Sequence, residues 1–197
     1  MKQDHPDLSV RRQCSLLSLA RSSLYYHPRG ESAENLAFME NISFIPMRRG
    51  FFYFVAIMDW HSRKVLSWRL SNSMDAGFCV EALKEALARY GPPEIFNSDQ
   101  GSQFTSTDFT DVLHDAKVKI SMDGRGRWID NRMIKRFWRS LKYECVYLNA
   151  FVTGSEACEG IGAWITYYNE KRPHSSHGLL TPSEAYDSRA PNLKAAA

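Results

Sequence analysis

Residues 41–70 read NISFIPMRRGFFYFVAIMDWHSRKVLSWRL, and this stretch decides the fold. It contains three runs rich in β-branched and aromatic residues, at positions 41–47, 51–59 and 64–70. Short polar segments, Arg49-Gly50 and residues 61–63, separate these runs and are typical of turns. The stretch therefore predicts three antiparallel strands joined as a meander.

After the meander the chain alternates helix with strand. Residues 76–89 carry apolar side chains at helical spacing, and Gly91-Pro92-Pro93 follows as a stop signal. The same reading predicts strands at 94–97 and 117–122 and helices at 107–116, about 130–145 and about 155–168. This order predicts an α/β protein with a ribonuclease H-like fold, in which helices flank a mixed sheet.

The first 34 residues are predicted to form a small helical appendage and linker, separate from a core at 35–190. Apolar residues recur at helical spacing from Leu8 to Leu24, with Ser22-Ser23 as a possible cap between two short helices. Such a hairpin can be a DNA-binding helix-turn-helix or a plain packing element, and both interpretations stay open.

Positive charge is concentrated on one stretch of the chain. The formal net charge is only +3, which does not by itself indicate a nucleic-acid partner. Between positions 125 and 142, however, only Asp130 opposes a run of cations: Arg125, Arg127, Arg132, Lys135, Arg136, Arg139 and Lys142. We predict that this segment, together with Trp138, contacts DNA, the alternative being a solvated helix face.

Other sequence features exclude several classes of protein. The longest apolar run, residues 51–58, is far shorter than the roughly 18 residues that a membrane-spanning helix needs. The four cysteines contain no Cys-x-x-Cys pair, which argues against a zinc knuckle or a disulfide framework. We therefore expect a cytoplasmic protein with no membrane partner.

Several motifs occur in a characteristic order. The most specific is Ser98-Asp99-Gln100-Gly101-Ser102-Gln103-Phe104. It is preceded by segments 42–46 and 59–68 and followed by segments 128–131, 140–144, 168–175 and Thr181-Pro182. Together they resemble the transposases of bacterial insertion sequences that have a retroviral-integrase-type catalytic core. Residues 5–39 resemble the amino-terminal part of these transposases, with an intervening DNA-binding segment missing near residues 38–41, so the chain resembles a truncated and degenerate copy.

This resemblance implies a two-metal site. In such enzymes three carboxylates hold two Mg²⁺ (or Mn²⁺) ions for phosphoryl transfer. Carried onto this sequence, the three positions are Asn41, Asp99 and Lys135, so Asp99 alone remains as a metal-binding carboxylate. The formal charge of the three positions changes from −3 to zero, and metal affinity is expected to collapse.

Neighbouring carboxylates are poorly placed to substitute. Glu40 is next to Asn41 on a strand and is expected on the opposite face of the sheet, while Asp130 and Glu144 are distant from Lys135 along the helix. Asp59 and Asp130 are interpreted as turn and cap residues. His174 and His177 are interpreted as loop or DNA-proximal residues rather than metal ligands.

Three hypotheses follow for the function. The first is a DNA-binding transposase-family protein of transposition and integration whose catalytic core is inactive. The second is a metal-dependent strand transferase that still acts through Asp99, Asn41 and a substitute carboxylate. The third is an interaction protein that associates with itself or with an intact transposase and inhibits it.

Overall fold

The computed structural model describes residues 37–98, 101–122 and 132–194, all within the compact unit Asn35–Ala197. The helical appendage predicted at 1–34, the glycine-rich loop at 123–126 and the chain end at 195–197 lie outside these residues.

A five-stranded mixed sheet forms the centre of this unit. Its strands are β1 (Ala37–Pro46), β2 (Phe51–Asp59), β3 (Val65–Ser71), β4 (Ile95–Ser98) and β5 (Lys119–Met122). They lie in the order β3-β2-β1-β4-β5; the first three form the predicted antiparallel meander, and β4 and β5 add in parallel to β1. The predicted mixed sheet is confirmed.

Strand β1 starts earlier than the sequence suggested. It begins at Ala37 rather than Asn41 and stays in register with β2 from Phe38, opposite Asp59, to Pro46, opposite Phe51. Its first four residues also pair with β4. The strand is longer than predicted because pairing with β2 and β4 extends it beyond its most apolar segment.

Helices cover both faces of the sheet. They are α1 (Gly77–Tyr90), α2 (Thr107–Asp115), α3 (Arg132–Leu141), α4 (Gly154–Glu170) and α5 (Pro182–Lys194). One face of β2 packs Val55 and Ile57 against α1 and α2, and the other packs Phe54, Ala56 and Met58 against α3 and α4. Alternation along β2 therefore builds two separate cores.

The helix predicted at 130–145 has a different form at its end. Within the described residues it begins at Arg132, and after Leu141 it continues as a π-helical turn, Lys142–Val146, and a last turn, Tyr147–Asn149. The wider turn changes the phase of the helix, and both Cys145 and Val146 are buried. The helical periodicity of the sequence does not predict this π-helical turn.

Strand β5 starts two residues later than predicted, and one helix was missed. Strand β5 begins at Lys119 because Lys117 has a φ of 57° and belongs to the preceding turn. Helix α5 follows a capping box in which Thr181 accepts from the Glu184 backbone and donates to its carboxylate, with Pro182 as the first helical residue. The Thr-Pro-x-Glu pattern was a readable helix start.

Candidate active site

The parallel pairing of β1 with β4 ends at the residues that precede the predicted site positions 41 and 99. Glu40 of β1 pairs with Ser98 of β4 in parallel register, and Asn41 and Asp99 are the next residues of their segments. On the other side, Asn41 pairs with Ala56 of β2. Asp99 itself lies outside the described residues, and the roles predicted for these two positions stay predictions.

The motif after Asp99 anchors the loop that follows β4. Phe104 is almost completely buried, lies edge-on to Phe109 of α2 at 5.5 Å between ring centroids, and donates its backbone N–H to the carbonyl of Gly101. Gln103 is also buried, and its side-chain amide donates to the Met74 carbonyl. The Gln-Phe pair thus has a packing role, because it ties this loop to the core.

Lys135, the residue predicted to stand at the third carboxylate position, lies in the first turn of α3 and is exposed. Its helix packs against β1 and is held there by buried neighbours, Ile134 and Phe137. The side chain at this position therefore points away from the core, into solvent. Its chemistry is that of an ammonium group, which is not a metal ligand while charged.

Glu144, one possible substitute carboxylate, is already engaged. Both its oxygens accept hydrogen bonds from Arg172, at 2.8 and 2.7 Å. Across residues 37–98, 101–122 and 132–194, no three His, Cys, Asp or Glu side chains come together as a set that could hold a metal ion. Asp130 lies outside the described residues.

The predicted DNA-binding residues occupy different environments. Arg125 and Arg127 lie outside the described residues, and Arg132 begins α3. The side chains of Arg136 and Arg139 are exposed, whereas Lys142 is half-buried and its pKa is lowered by that burial. Exposure of Arg136 and Arg139 is compatible with contact to a phosphate backbone, but it does not test that role.

Trp138 does not belong to the exposed basic surface, contrary to the prediction. It is only 7% exposed and lies edge-on to Phe54 of β2 at 5.3 Å between ring centroids. Its burial follows from its position next to Phe137 on the face of α3 that covers the sheet. The indole therefore packs in the core, as Trp164 does on α4.

The interpretation of Asp59 as a turn residue is confirmed. It ends β2 with 2% of its surface exposed, and its carboxylate accepts from the backbone N–H and hydroxyl of Ser62 at 2.7 and 2.6 Å. Arg63 follows with a φ of 65° and donates from its guanidinium to the carbonyl of Trp60. This turn sets the position of Arg63 at the end of the β2–β3 hairpin.

The closing motif of the sequence packs against this hairpin. Asn169 of α4 accepts from the Val65 N–H at 3.0 Å and donates to the Val65 carbonyl at 2.9 Å. His174 precedes a 3-10 turn, Ser175–His177, which ends at His177, and the ring centroids of the two histidines are 5.4 Å apart. The two motifs, distant in sequence, are therefore neighbours in the fold.

Comparison with known proteins places these motifs in a family. The integrase core domain matches two overlapping segments, residues 38–127 and 116–182. The transposase for insertion sequence element IS904 of Lactococcus lactis subsp. lactis (strain IL1403) is 32% identical over 170 residues, 85% of this chain and 67% of the relative. Transposase InsF for insertion sequence IS3A of Escherichia coli (strain K12) is 30% identical over 156 residues, 78% of this chain and 54% of the relative.

Solved structures show the same fold. The catalytic core domain of BIV integrase superposes with a TM-score of 0.66 at 15% identity, covering 81% of this chain and 99% of that one. The HTLV-2 integrase catalytic core domain in complex with magnesium gives a TM-score of 0.57 at 18% identity, covering 78% of this chain and 96% of that one. The predicted ribonuclease H-like fold is thereby confirmed.

Among the helices that the structure describes, none is long and apolar enough to cross a membrane. The sheet order, the motifs at the ends of β1, β2 and β4, and the relatives in two bacteria agree with one another. The chain belongs to the insertion-sequence transposases, a family of DNA transposition that is built on an integrase core domain.

Proposed function

We propose that this chain is a DNA-binding member of the transposase family that no longer catalyses strand transfer. The observation that carries the proposal is the lysine at position 135, exposed on α3, where the family places its third metal-binding carboxylate. Asn41 stands at the first position, in β1. Two of three anionic ligands are therefore missing from a scaffold that is otherwise typical of the family.

The residues present do not fit the magnesium ions that the family implies. Asn41 is neutral, Asp99 contributes −1 and Lys135 contributes +1, so the three positions have no net charge, against −3 for three carboxylates. A unit charge pair at ~4 Å is worth roughly 4 kcal/mol at an effective dielectric of 20. Exchanging attraction for repulsion at position 135 thus disfavours a divalent cation strongly, and we derive no catalytic step through one.

DNA binding does not depend on the lost carboxylates. The exposed side chains of Lys135, Arg136 and Arg139 present positive charge along α3, and such groups bind phosphate oxygens regardless of base sequence. Replacing glutamate by lysine at position 135 adds to this charge. The proposed activity is therefore salt-dependent binding to duplex DNA without cleavage.

Metal binding and catalysis are tested by restoring the carboxylates. The unaltered chain is compared with the double variant Asn41→Asp and Lys135→Glu, by calorimetric titration with Mn²⁺ and by cleavage and joining of a labelled transposon-end duplex. We expect Mn²⁺ binding and reaction in the double variant only. Adding Asp99→Ala to the double variant is the control and removes both.

The alternative of a still-active enzyme predicts a different result. In that case the unaltered chain binds Mn²⁺ and cleaves the duplex, and Asp99→Ala alone abolishes the reaction. This outcome would overturn the proposed loss of catalysis.

DNA binding is tested by fluorescence anisotropy with a labelled duplex at several salt concentrations. Arg139→Gln removes an exposed cation of α3, and Lys84→Gln removes an exposed cation of α1 as the matched control. We expect Arg139→Gln alone to weaken binding and to lower the slope of log K against log salt by about one. Equal affinities of the two variants would contradict a DNA-contacting α3.

A role as a partner of intact transposase has its own support. Tyr143, Tyr147 and Leu148 follow α3 and are 65%, 53% and 75% exposed, which is unusual for neighbouring apolar side chains. Such a surface supports self-association, or association with an intact transposase in an assembly that this chain inhibits. Co-purification with a full-length relative tests this second function, and Leu148→Asp is expected to abolish it.

A further inference from the structure

A cleft of about 260 Å³ lies where three segments distant in sequence meet. The β2–β3 hairpin contributes Arg63, α3 contributes Arg136, and the segment after α4 contributes Arg172 and His174. We call it the arginine cleft, after Arg63, Arg136 and Arg172. Its volume is several times the ~30 Å³ that a water molecule occupies in the liquid.

The arginine cleft carries excess positive charge. No carboxylate lines it, and Arg172 pairs with Glu144. Arg136 has no carboxylate within ion-pair distance in the part of the chain that the structure describes. The charge of Arg136 is therefore not neutralised by any described carboxylate, and burial and the neighbouring cations lower the pKa of His174.

Contacts around the cleft hold two of its guanidinium groups in place. Both oxygens of Glu144 accept from Arg172, and the aromatic ring of Tyr168 lies 5.8 Å from the same guanidinium. Arg63 is held by the carbonyl of Trp60. Because their positions are set before a ligand arrives, little side-chain freedom is lost when an anion binds.

The chemistry of these groups specifies the ligand. Guanidinium groups present pairs of N–H donors in a planar fork that matches two oxygens of a phosphate. Because Arg172 directs one such fork at Glu144, Arg136 is the residue that presents its fork to a ligand, and Arg172 and Arg63 add positive charge beside it. Ser175 lines the same cleft and offers a hydroxyl donor, whereas the hydroxyl of Ser176 is hydrogen-bonded to the His174 ring at 2.7 Å; Met133 and Phe137 add apolar surface to the lining. A tetrahedral oxyanion satisfies the charge and the donors together, whereas a neutral ligand leaves the charge uncompensated.

We propose that the arginine cleft binds a phosphate group, carried by the backbone of a DNA strand that lies along α3. This inference rests on the proposed DNA binding and deepens it by assigning one phosphate contact to Arg136, Arg172 and Arg63. Lys135 and Arg139 lie within about 100° of Arg136 around the helix, so a strand that contacts them also passes the cleft. A free phosphate or a nucleotide is the other source of the same chemistry.

The first test is the affinity of the full chain for a labelled duplex. Arg136→Gln is expected to weaken binding on the order of tenfold, whereas Lys84→Gln, the same exchange on α1, has little effect. Arg136→Lys keeps the charge but loses the planar pair of N–H donors, and its affinity for the duplex is expected to lie between those of Arg136→Gln and the unaltered chain. Thermal unfolding of each variant verifies that the fold is retained.

The second test uses inorganic phosphate at constant ionic strength. The ring signals of His174, assigned with His174→Gln, are expected to shift on titration in the unaltered chain and not in Arg136→Gln. If phosphate shifts the His174 ring signals of the unaltered chain while Arg136→Gln leaves the affinity for the duplex unchanged, the cleft binds free phosphate or a nucleotide, and the assignment to DNA is wrong.

The two proposals fail in different ways. If the unaltered chain does not bind duplex DNA but phosphate shifts His174, the proposed DNA binding fails and the phosphate site stands. If Arg136→Gln and Lys84→Gln bind the duplex alike and phosphate leaves His174 unmoved, the inference is overturned.

Discussion

Replacing Asn169 by alanine removes both hydrogen bonds that join the end of α4 to the edge of the sheet. The Asn169 side chain accepts from Val65 N–H and donates to Val65 C=O, at 3.0 and 2.9 Å. Strand β3 is the edge of the sheet and Val65 is 4% exposed, so these backbone groups lose their partners without gaining full access to water. The amide of Asn169 acts there in place of a sixth strand.

The expected loss follows from these contacts. Two hydrogen bonds at about 1 kcal/mol each, with part of the cost of leaving buried groups unpaired, give a decrease of about 2–3 kcal/mol in the free energy of unfolding. In a unit of this size that corresponds to a fall of roughly 4–12 °C in the melting temperature. Asn169→Asp keeps the acceptor and loses the donor, and should lie between alanine and the unaltered chain.

Urea unfolding monitored by tryptophan fluorescence measures this loss. Thr166→Ala, at an exposed position of the same helix, is the matched control and should change stability by less than about 0.5 kcal/mol. A loss of less than about 0.5 kcal/mol for Asn169→Ala would refute the reasoning, because it would mean that water replaces both bonds at no cost.

Three further predictions follow from other contacts. Asp59→Ala should lower the free energy of unfolding by about 2–3 kcal/mol, because a buried carboxylate that accepts two hydrogen bonds is lost. An unchanged midpoint of urea unfolding would contradict this. Gly160→Ala should destabilise by about 1–3 kcal/mol despite better helix propensity, because the new Cβ would lie 2.6 Å from the ring of Phe151; a rise in melting temperature would show that the ring moves freely. Burial first, and neighbouring positive charge second, lower the pKa values of His174 and His177 below 6.5. As the pH drops from 7.5 to 5, the two histidines are therefore protonated at a higher pH in the unfolded chain than in the folded one, and the free energy of unfolding decreases. Replacing both histidines by glutamine should make the free energy of unfolding, measured by urea titration, depend less on pH.

Local sequence patterns predicted most of the sheet. Strand β2, at 51–59, has the predicted bounds because Arg49-Gly50 and the polar turn after Asp59 mark both its ends. Strand β1 was predicted too short because its first residues are held by pairing with β2 and β4, which a local pattern does not contain. Helix α5 was missed although its capping box is visible as Thr181 and Glu184.

The candidate site was predicted unevenly. Asn41, Asp99 and Lys135 were singled out by motif order, because their identity is a property of the sequence. Trp138 was placed on the basic surface because it lies among cations along the chain, yet it packs on Phe54. Charge clustering in a sequence does not distinguish the faces of a helix, whereas burial does.

The sequence by itself determined the family and the order of the elements from β1 to α4, and it carries the prediction that two carboxylates are lost, since all three depend on residue identity and local spacing. Only the tertiary structure decided that Arg63, Arg136 and Arg172 share one cleft, that Glu144 is engaged by Arg172, and that Asn169 closes the edge of the sheet. These are contacts between segments far apart in the chain. They exist because sheet register and helix packing bring those segments together, and no periodicity within one segment specifies what lies against it.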